Sequence, residues 1–355
     1  MNGKSNLSWR IGMIMMLLCA ALVMIVFPAA ADYDADKPLT EYAKGTVTGG
    51  MDYSIGNSTY SPKLWNYNST TGTNDSYFVS LTPTTLGTNV TIEKARLYVY
   101  WTWAFNNTNG SSGKFDIGVE PNMTVTFNGD VINTTKPDTR YVDWKNDSDA
   151  SNNTVGYNYP SGTYAYDITN NFTGNGPYVV NIANTKPYNG DDNSTTGDDK
   201  ESFNIQAVGI LILYNNSSNV QKNYWIEEGN DLLYTTYKNG AWQDGIAPSN
   251  ATASATFSNV DDNVTSATLI TVAPAAGPNP AGGTVYNRLF INGYEFGGIW
   301  DGDPRDYNFA WEITDAAGYL NYGDNTIGFR DGVNDTTYST DGQMQAANAF
   351  LLTTP

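Results

Sequence analysis

Apolar residues recur along this chain in short runs bounded by Gly, Asn, Asp and Pro, and hardly any stretch carries the 3.6-residue spacing of a helix. The clearest runs, at 95–103, 124–128, 178–182, 203–214, 267–273, 286–292 and 346–352, predict β-strands, whereas 315–320 alone reads as a helical turn. Many short strands with turn residues between them predict an all-β chain of sandwich or jelly-roll-like architecture.

The order of these runs repeats. Ala95-Arg96-Leu97-Tyr98-Val99 is echoed by Ala267-Thr268-Leu269-Ile270-Thr271, and Thr126-Phe127-Asn128-Gly129 by Phe290-Ile291-Asn292-Gly293. Tyr166-Asp167-Ile168-Thr169 matches Trp311-Glu312-Ile313-Thr314, and the strands at 178–182 and 325–329 follow them. Gln206-Ala207-Val208-Gly209-Ile210-Leu211 parallels Gln345-Ala346-Ala347-Asn348-Ala349-Phe350. Landmarks repeated in one order predict two tandem β-sandwich domains, 47–215 and 216–355, divided in the polar stretch 215–222. Residues 32–46 read as an extended leader.

The amino terminus departs from this pattern. Lys4 and Arg10 precede an apolar run over 11–27, then Pro28 and the triplet Ala29-Ala30-Ala31 before Asp32. A basic head, an apolar middle and an Ala-x-Ala exit predict a cleaved signal peptide, residues 1–31, with cleavage between Ala31 and Asp32. The run is short for a bilayer core, so the expectation is a secreted chain without a transmembrane anchor after cleavage.

The phrase Lys44-Gly45-Thr46-Val47-Thr48-Gly49-Gly50, the strand at 95–103, the Phe-Asn-Gly turn, the Asp/Glu-Ile-Thr landmarks and the closing apolar strand carry a resemblance. Together the chain resembles the secreted archaeal family known as domain of unknown function 3344, over nearly the whole expected mature region. The resemblance implies a surface protein of methanogen-like archaea, with surface-layer or sheath-type members. It brings no catalytic residues with it.

Composition removes several chemistries. There is no histidine, so triads of the Ser-His-Asp kind and the commonest zinc ligand are absent. The only cysteine, Cys19, lies within the apolar head, so a secreted mature chain has no disulfide. Loss of Lys4 and Arg10 leaves 16 of the 18 basic residues against 36 acidic ones, a net charge near −20 that repels nucleic acid.

What remains is oxygen and aromatic chemistry. Sequons place N-glycosylation on Asn57, Asn68, Asn74, Asn89, Asn106, Asn109, Asn122, Asn133, Asn146, Asn152, Asn171, Asn193, Asn215, Asn216, Asn250, Asn263 and Asn334. Asp301, Asp303 and Asp306, on a turn that Gly302 allows to fold tightly, form the best candidate calcium site. Weaker acidic groups are Asp191-Asp192 with Asp198-Asp199, Asp261-Asp262, and Asp331 with Asp335. No spacing selects a catalytic pair among Glu227, Glu228, Glu295 and Glu312, and Glu312 repeats Asp167 as a scaffold position. Trp101 and Trp103, two apart on a strand, are expected to fill a core, whereas Trp300 is the ring expected to stack on a glycan.

These readings predict a non-enzymatic structural glycoprotein of the cell envelope that associates laterally with copies of itself and requires no cofactor, calcium being the one candidate ion. A secreted glycan-binding adhesin, with surface glycans as partners, is the alternative.

Overall fold

The computed structural model describes residues 34–65, 74–83, 86, 90–107, 116–144, 160–172, 176–185, 201–216, 219–235, 237–238, 241–242, 246–277, 284–300, 309–337 and 343–355. They form an all-β architecture of antiparallel sheets stacked in four layers.

The first outer sheet runs β4 (Ser76–Leu81), β11 (Tyr178–Asn184), β7 (Met123–Phe127), β8 (Asp130–Asn133). Beneath it, the first inner sheet runs β2 (Gly49–Ser54), β12 (Glu201–Asn216), β5 (Val90–Asn107), β10 (Ser161–Asp167), β9 (Thr139–Asp143); β3 (Leu64–Trp65) adds to β12 and β6 (Asp116–Gly118) to β5. The second inner sheet runs β1 (Thr40–Val47), β13 (Lys222–Leu233), β22 (Met344–Thr354), β17 (Ser266–Val272), β20 (Ala310–Ile313). The second outer sheet runs β16 (Thr252–Val260), β21 (Gly323–Arg330), β18 (Arg288–Ile291), β19 (Tyr294–Gly297). A short hairpin, β14 (Tyr237–Lys238) with β15 (Ala241–Trp242), stands apart. The helical turn expected at 315–320 is a 3-10 turn at Ala317–Tyr319.

The repeat seen in the sequence is a repeat of pairing. β2-β12-β5-β10 in the first inner sheet has the order of β13-β22-β17-β20 in the second, and β4-β11-β7-β8 that of β16-β21-β18-β19. Both Asn-Gly turns use the same geometry. Asn128 and Asn292 have φ of 52° and 50°, followed by Gly129 and Gly293 at 89° and 87°, the double left-handed step that a tight hairpin demands. In each, the asparagine backbone N–H donates across the sheet, to Val179 O and Thr326 O, while its side-chain Oδ1 accepts from the same residue's N–H.

Three apolar layers hold the stack. Leu97, Val99, Val125, Phe127, Val180 and Ile182 fill the first sandwich; Trp225, Phe257, Leu269, Ile291, Trp300 and Phe329 fill the second. A third layer joins the inner sheets, with Tyr98, Tyr100 and Leu211 against Ile226, Ile270 and Phe350. Strands such as β12 are therefore buried on both faces, which is why 207–213 reads as an unbroken small and apolar run instead of alternating. Gly209 belongs to this logic: a Cβ there would lie 2.0 Å from the Tyr53 hydroxyl.

The residues expected as a leader enter the fold. Ala35 N donates to Asn250 O and Leu39 N to Ser254 O, and Thr40–Val47 becomes the edge strand β1, paired with β13. Trp101 is fully buried in the first core, but Trp103, with φ of 53°, is half-buried and outside that cluster, because bulges between β5 and β12 interrupt the alternation there.

Candidate functional site at the junction of the inner sheets

The densest polar chemistry lies where β13 meets β9 and β10. A charge in an apolar strand must find its partner in the layer it faces. Arg96 of β5, 2 % exposed, meets Glu228 of β13 across the inner layer, Nε to Oε1 at 3.1 Å and Nη2 to Oε2 at 2.8 Å. Tyr98 donates to Glu228 Oε1 at 2.7 Å and Tyr141 to Oε2 at 3.0 Å, so one carboxylate receives four donor contacts. Tyr42 of β1 lies against the guanidinium, 3.8 Å from ring centre to Cζ. Burial first, then the Glu228 charge, pushes the Tyr98 and Tyr141 hydroxyls above the usual phenol range, which keeps both as donors. A second chain, Tyr53 hydroxyl with Tyr100 hydroxyl at 2.9 Å and Tyr100 to Asn348 Oδ1 at 2.6 Å, crosses the same layer.

Beside this network lie Asp36, Asp143 and Asp231, with one oxygen of each within 4.8 Å of the others. Lys37 stands among them. Its Nζ is 3.2 Å from Asp143 Oδ1 and donates to Val142 O at 2.8 Å, while its backbone N–H donates to Asp231 Oδ2 at 3.1 Å. Asp143 Oδ2 accepts from Leu232 N at 2.7 Å. The three carboxylates have the oxygen chemistry that a divalent cation takes, but the lysine ammonium already supplies a counter-charge.

The other carboxyl groups named from sequence are dispersed. Glu227 points to the opposite face of β13 from Glu228, is 1 % exposed and has no hydrogen-bond partner for Oε1; burial, then the charge of Glu41 paired opposite it, raises its pKa to about 8. Glu295 is exposed and paired with Arg288, and Glu312 is exposed on β20. Asp331 is buried and accepts from Thr235 N, whereas Asp335 binds Ser249 through its N–H and hydroxyl. Asp261 and Asp262 accept from Asn223 and Asn263.

Asp301, Asp303 and Asp306 lie outside the described residues, as do Asp191, Asp192, Asp198, Asp199 and the expected cleavage point at Ala31 and Asp32. Trp300 requires a correction. It is fully buried, with its ring stacked on Phe329 at 5.6 Å, and fills the second core instead of facing a glycan. Trp300 itself takes a left-handed step, φ 50°, and its indole lies within the second core.

Among the sequon residues, Asn57, Asn74, Asn250, Asn263 and Asn334 are exposed and Asn122, Asn133, Asn171, Asn215 and Asn216 are half-buried. The side chain of Asn106 and the residues Asn68, Asn89, Asn109, Asn146, Asn152 and Asn193 lie outside the described set. Asn334 sits in an Asx turn, its Oδ1 accepting from Thr336 Oγ1 at 2.7 Å. By contrast the Asn215 amide is engaged at both ends, by Thr48 N and Glu93, and the Asn74 amide donates to Asn184 O.

The junction residues Lys37, Tyr141, Asp143 and Asp231 escape a reading by motif. The sequence does carry a usable signal: Arg96 as the one charge in the apolar run 95–103, and two glutamates following Tyr224-Trp225-Ile226.

Among solved structures, a peptide-N(4)-(N-acetyl-β-D-glucosaminyl) asparagine amidase aligns at 13 % identity over 88 % of this chain and 97 % of its own, with a TM-score of 0.25. A β-porphyranase of the human gut bacterium Bacteroides plebeius aligns at 13 % identity over 78 % of this chain and 38 % of its own, TM-score 0.20. The ANX2 ectodomain from Arabidopsis thaliana aligns at 8 % identity over 90 % of each, TM-score 0.24. At such TM-scores none of them carries an argument about this chain. No curated protein matches it. Residues 32–354 match the family described as "Protein of unknown function (DUF3344)", and the chain belongs to that family.

Proposed function

We propose that this protein is a non-catalytic, N-glycosylated structural component of an archaeal cell envelope, a surface-layer or sheath-type subunit that associates side by side with its own copies. The observation that carries this reading is the state of the sheet edges. Among the described residues, β8, β19 and β20 each end a sheet without the Lys or Pro with which soluble proteins block an edge, whereas β1, the opposite edge of the second inner sheet, carries Lys44. Asp130 and Glu312 put an acidic residue on two of them, where edge-to-edge pairing calls for a bridging cation, whereas Glu295 on the third is paired with Arg288. The exposed and half-buried sequon residues add the glycan coat. Glu228, the best-ligated buried carboxylate, is spent on joining the inner sheets, not left open towards a substrate.

Negative-stain microscopy of the exported protein, concentrated with and without calcium, tests this. Sheets, rings or fibres that form with calcium are the expected result, and Glu312→Lys on β20 should thin or abolish them. A protein that stays monomeric at high concentration in both conditions overturns the coat. The adhesin alternative has lost Trp300, the ring on which it rested.

A further inference from the structure

We infer that Lys37 and Asp143 are the two ends of an intrachain isopeptide bond that staples the amino-terminal arm to β9. Their geometry is that of reactants. The Asp143 side chain is fully buried, its Oδ1 lies 3.2 Å from Lys37 Nζ, and Val142 O holds the same nitrogen at 2.8 Å. Asp231 Oδ2 accepts from the Lys37 backbone N–H, which fixes the residue in register. Leu232 N–H, 2.7 Å from Asp143 Oδ2, points at the oxygen on which negative charge develops when an amine adds to Cγ.

The step balances within the pair. Nζ forms a bond to Asp143 Cγ, the Cγ–Oδ1 bond breaks, and Oδ1 leaves as water with two of the three ammonium hydrogens. Asp231, one oxygen of which lies within 4.8 Å of one from Asp143, relays the proton from nitrogen to the departing oxygen. No oxidant or co-reactant is required. Burial favours the product, because an ion pair whose carboxylate is out of water is exchanged for a neutral amide.

The place of the bond gives it a purpose. The arm bonds to β16 through Leu39 and to Asn250, just before that strand, through Ala35, and it continues into β1, whereas Asp143 belongs to the first inner sheet, so the link ties the two sandwiches together. Cys19, the single cysteine, stands far upstream in the apolar head, so an intrachain disulfide cannot do this.

Trypsin digestion of the exported full chain reads the bond directly. Cleavage after Arg140, Lys145 and Lys44 releases 141–145 joined to the arm peptide ending at Lys44; in the arm from Asp32 onward, as in 141–145, there is no sequon, so glycans do not confuse the mass. The expected product is a branched peptide lighter than the sum of its parts by one water. Lys37→Arg, which keeps the charge, should yield only separate peptides and a lower Tm, whereas Lys44→Arg at an exposed ion pair should change neither. Asp231→Asn should leave the linkage largely unformed. Separate peptides of full mass from the unaltered protein overturn the bond, and an undiminished branched peptide from Asp231→Asn overturns the part given to Asp231.

Discussion

The two sandwiches share strand order, Asn-Gly turns and the cross-sheet hydrogen bonds at those turns, yet their inner sheets differ in added edge strands and in strand length, most tellingly at one position. Where the first inner sheet has the six residues of β2, Gly49–Ser54, the second has the twelve of β13, with Glu227, Glu228 and Asp231 buried in it. Duplication reproduced the scaffold; the charged chemistry entered at the position where the copies ceased to match. A buried charge needs a partner, and β13 finds its partners in the other half: Arg96, Tyr98 and Tyr141 for Glu228. The asymmetry therefore joins the halves as one body, with the polar network setting the register of two otherwise greasy sheets.

The hardest test of this contrast is Arg96→Ala, which strands Glu228 in the inner layer and should cost about 3–5 kcal/mol in urea denaturation. Replacing both partners by apolar residues, Arg96→Met with Glu228→Leu, should recover most of that loss; a double variant as unstable as the single one would mean the network does more than satisfy its own charges. Trp300→Ala should cost about as much, ~3–5 kcal/mol, as cavity formation in the second core, with no change in binding on a glycan array.

Glu227 offers a smaller, pH-dependent effect. Its pKa is raised from 4.5 to about 8, so between these values the folded chain keeps a proton that the unfolded chain releases. The stability that Glu227 contributes is thus fully present below pH 4.5 and is lost as pH rises through about 8, and Glu227→Gln should flatten that part of the slope in melts recorded between these values. The smallest test concerns the paired turns. Asn128→Ala should cost about 1–2 kcal/mol, from a lost cross-sheet bond and a strained left-handed residue. Asn292→Ala should cost more, because its Nδ2 also donates to Tyr319 O at 2.8 Å and to Asn325 Oδ1 at 2.7 Å, and equal losses in urea denaturation would show that these added bonds contribute nothing.

Much of the scaffold was legible in the sequence because it is written in local terms. Alternation in 123–127, burial on every second residue, and the Asn128-Gly129 pair each specify their structure through near neighbours. Trp300 shows the opposite case: no local pattern in the sequence says which way its side chain will face, and packing against Phe329 decided it. The candidate site was harder still. Lys37 and Asp143 are ordinary surface-type residues in the sequence, 106 positions apart, and neither belongs to a motif.

Residue periodicity and turn chemistry by themselves determined that this chain is all-β, that its landmarks repeat in one order, and where several of its central strands fall. Only the packed structure decided that the inner sheets face each other, that residues 40–47 close the second inner sheet, and that Arg96, Glu228, Lys37 and Asp143 meet between the halves. The physical reason is range. Strand and turn preferences act over a few residues, whereas the pairing of buried charges is settled only when distant segments are driven into one layer and must satisfy each other there.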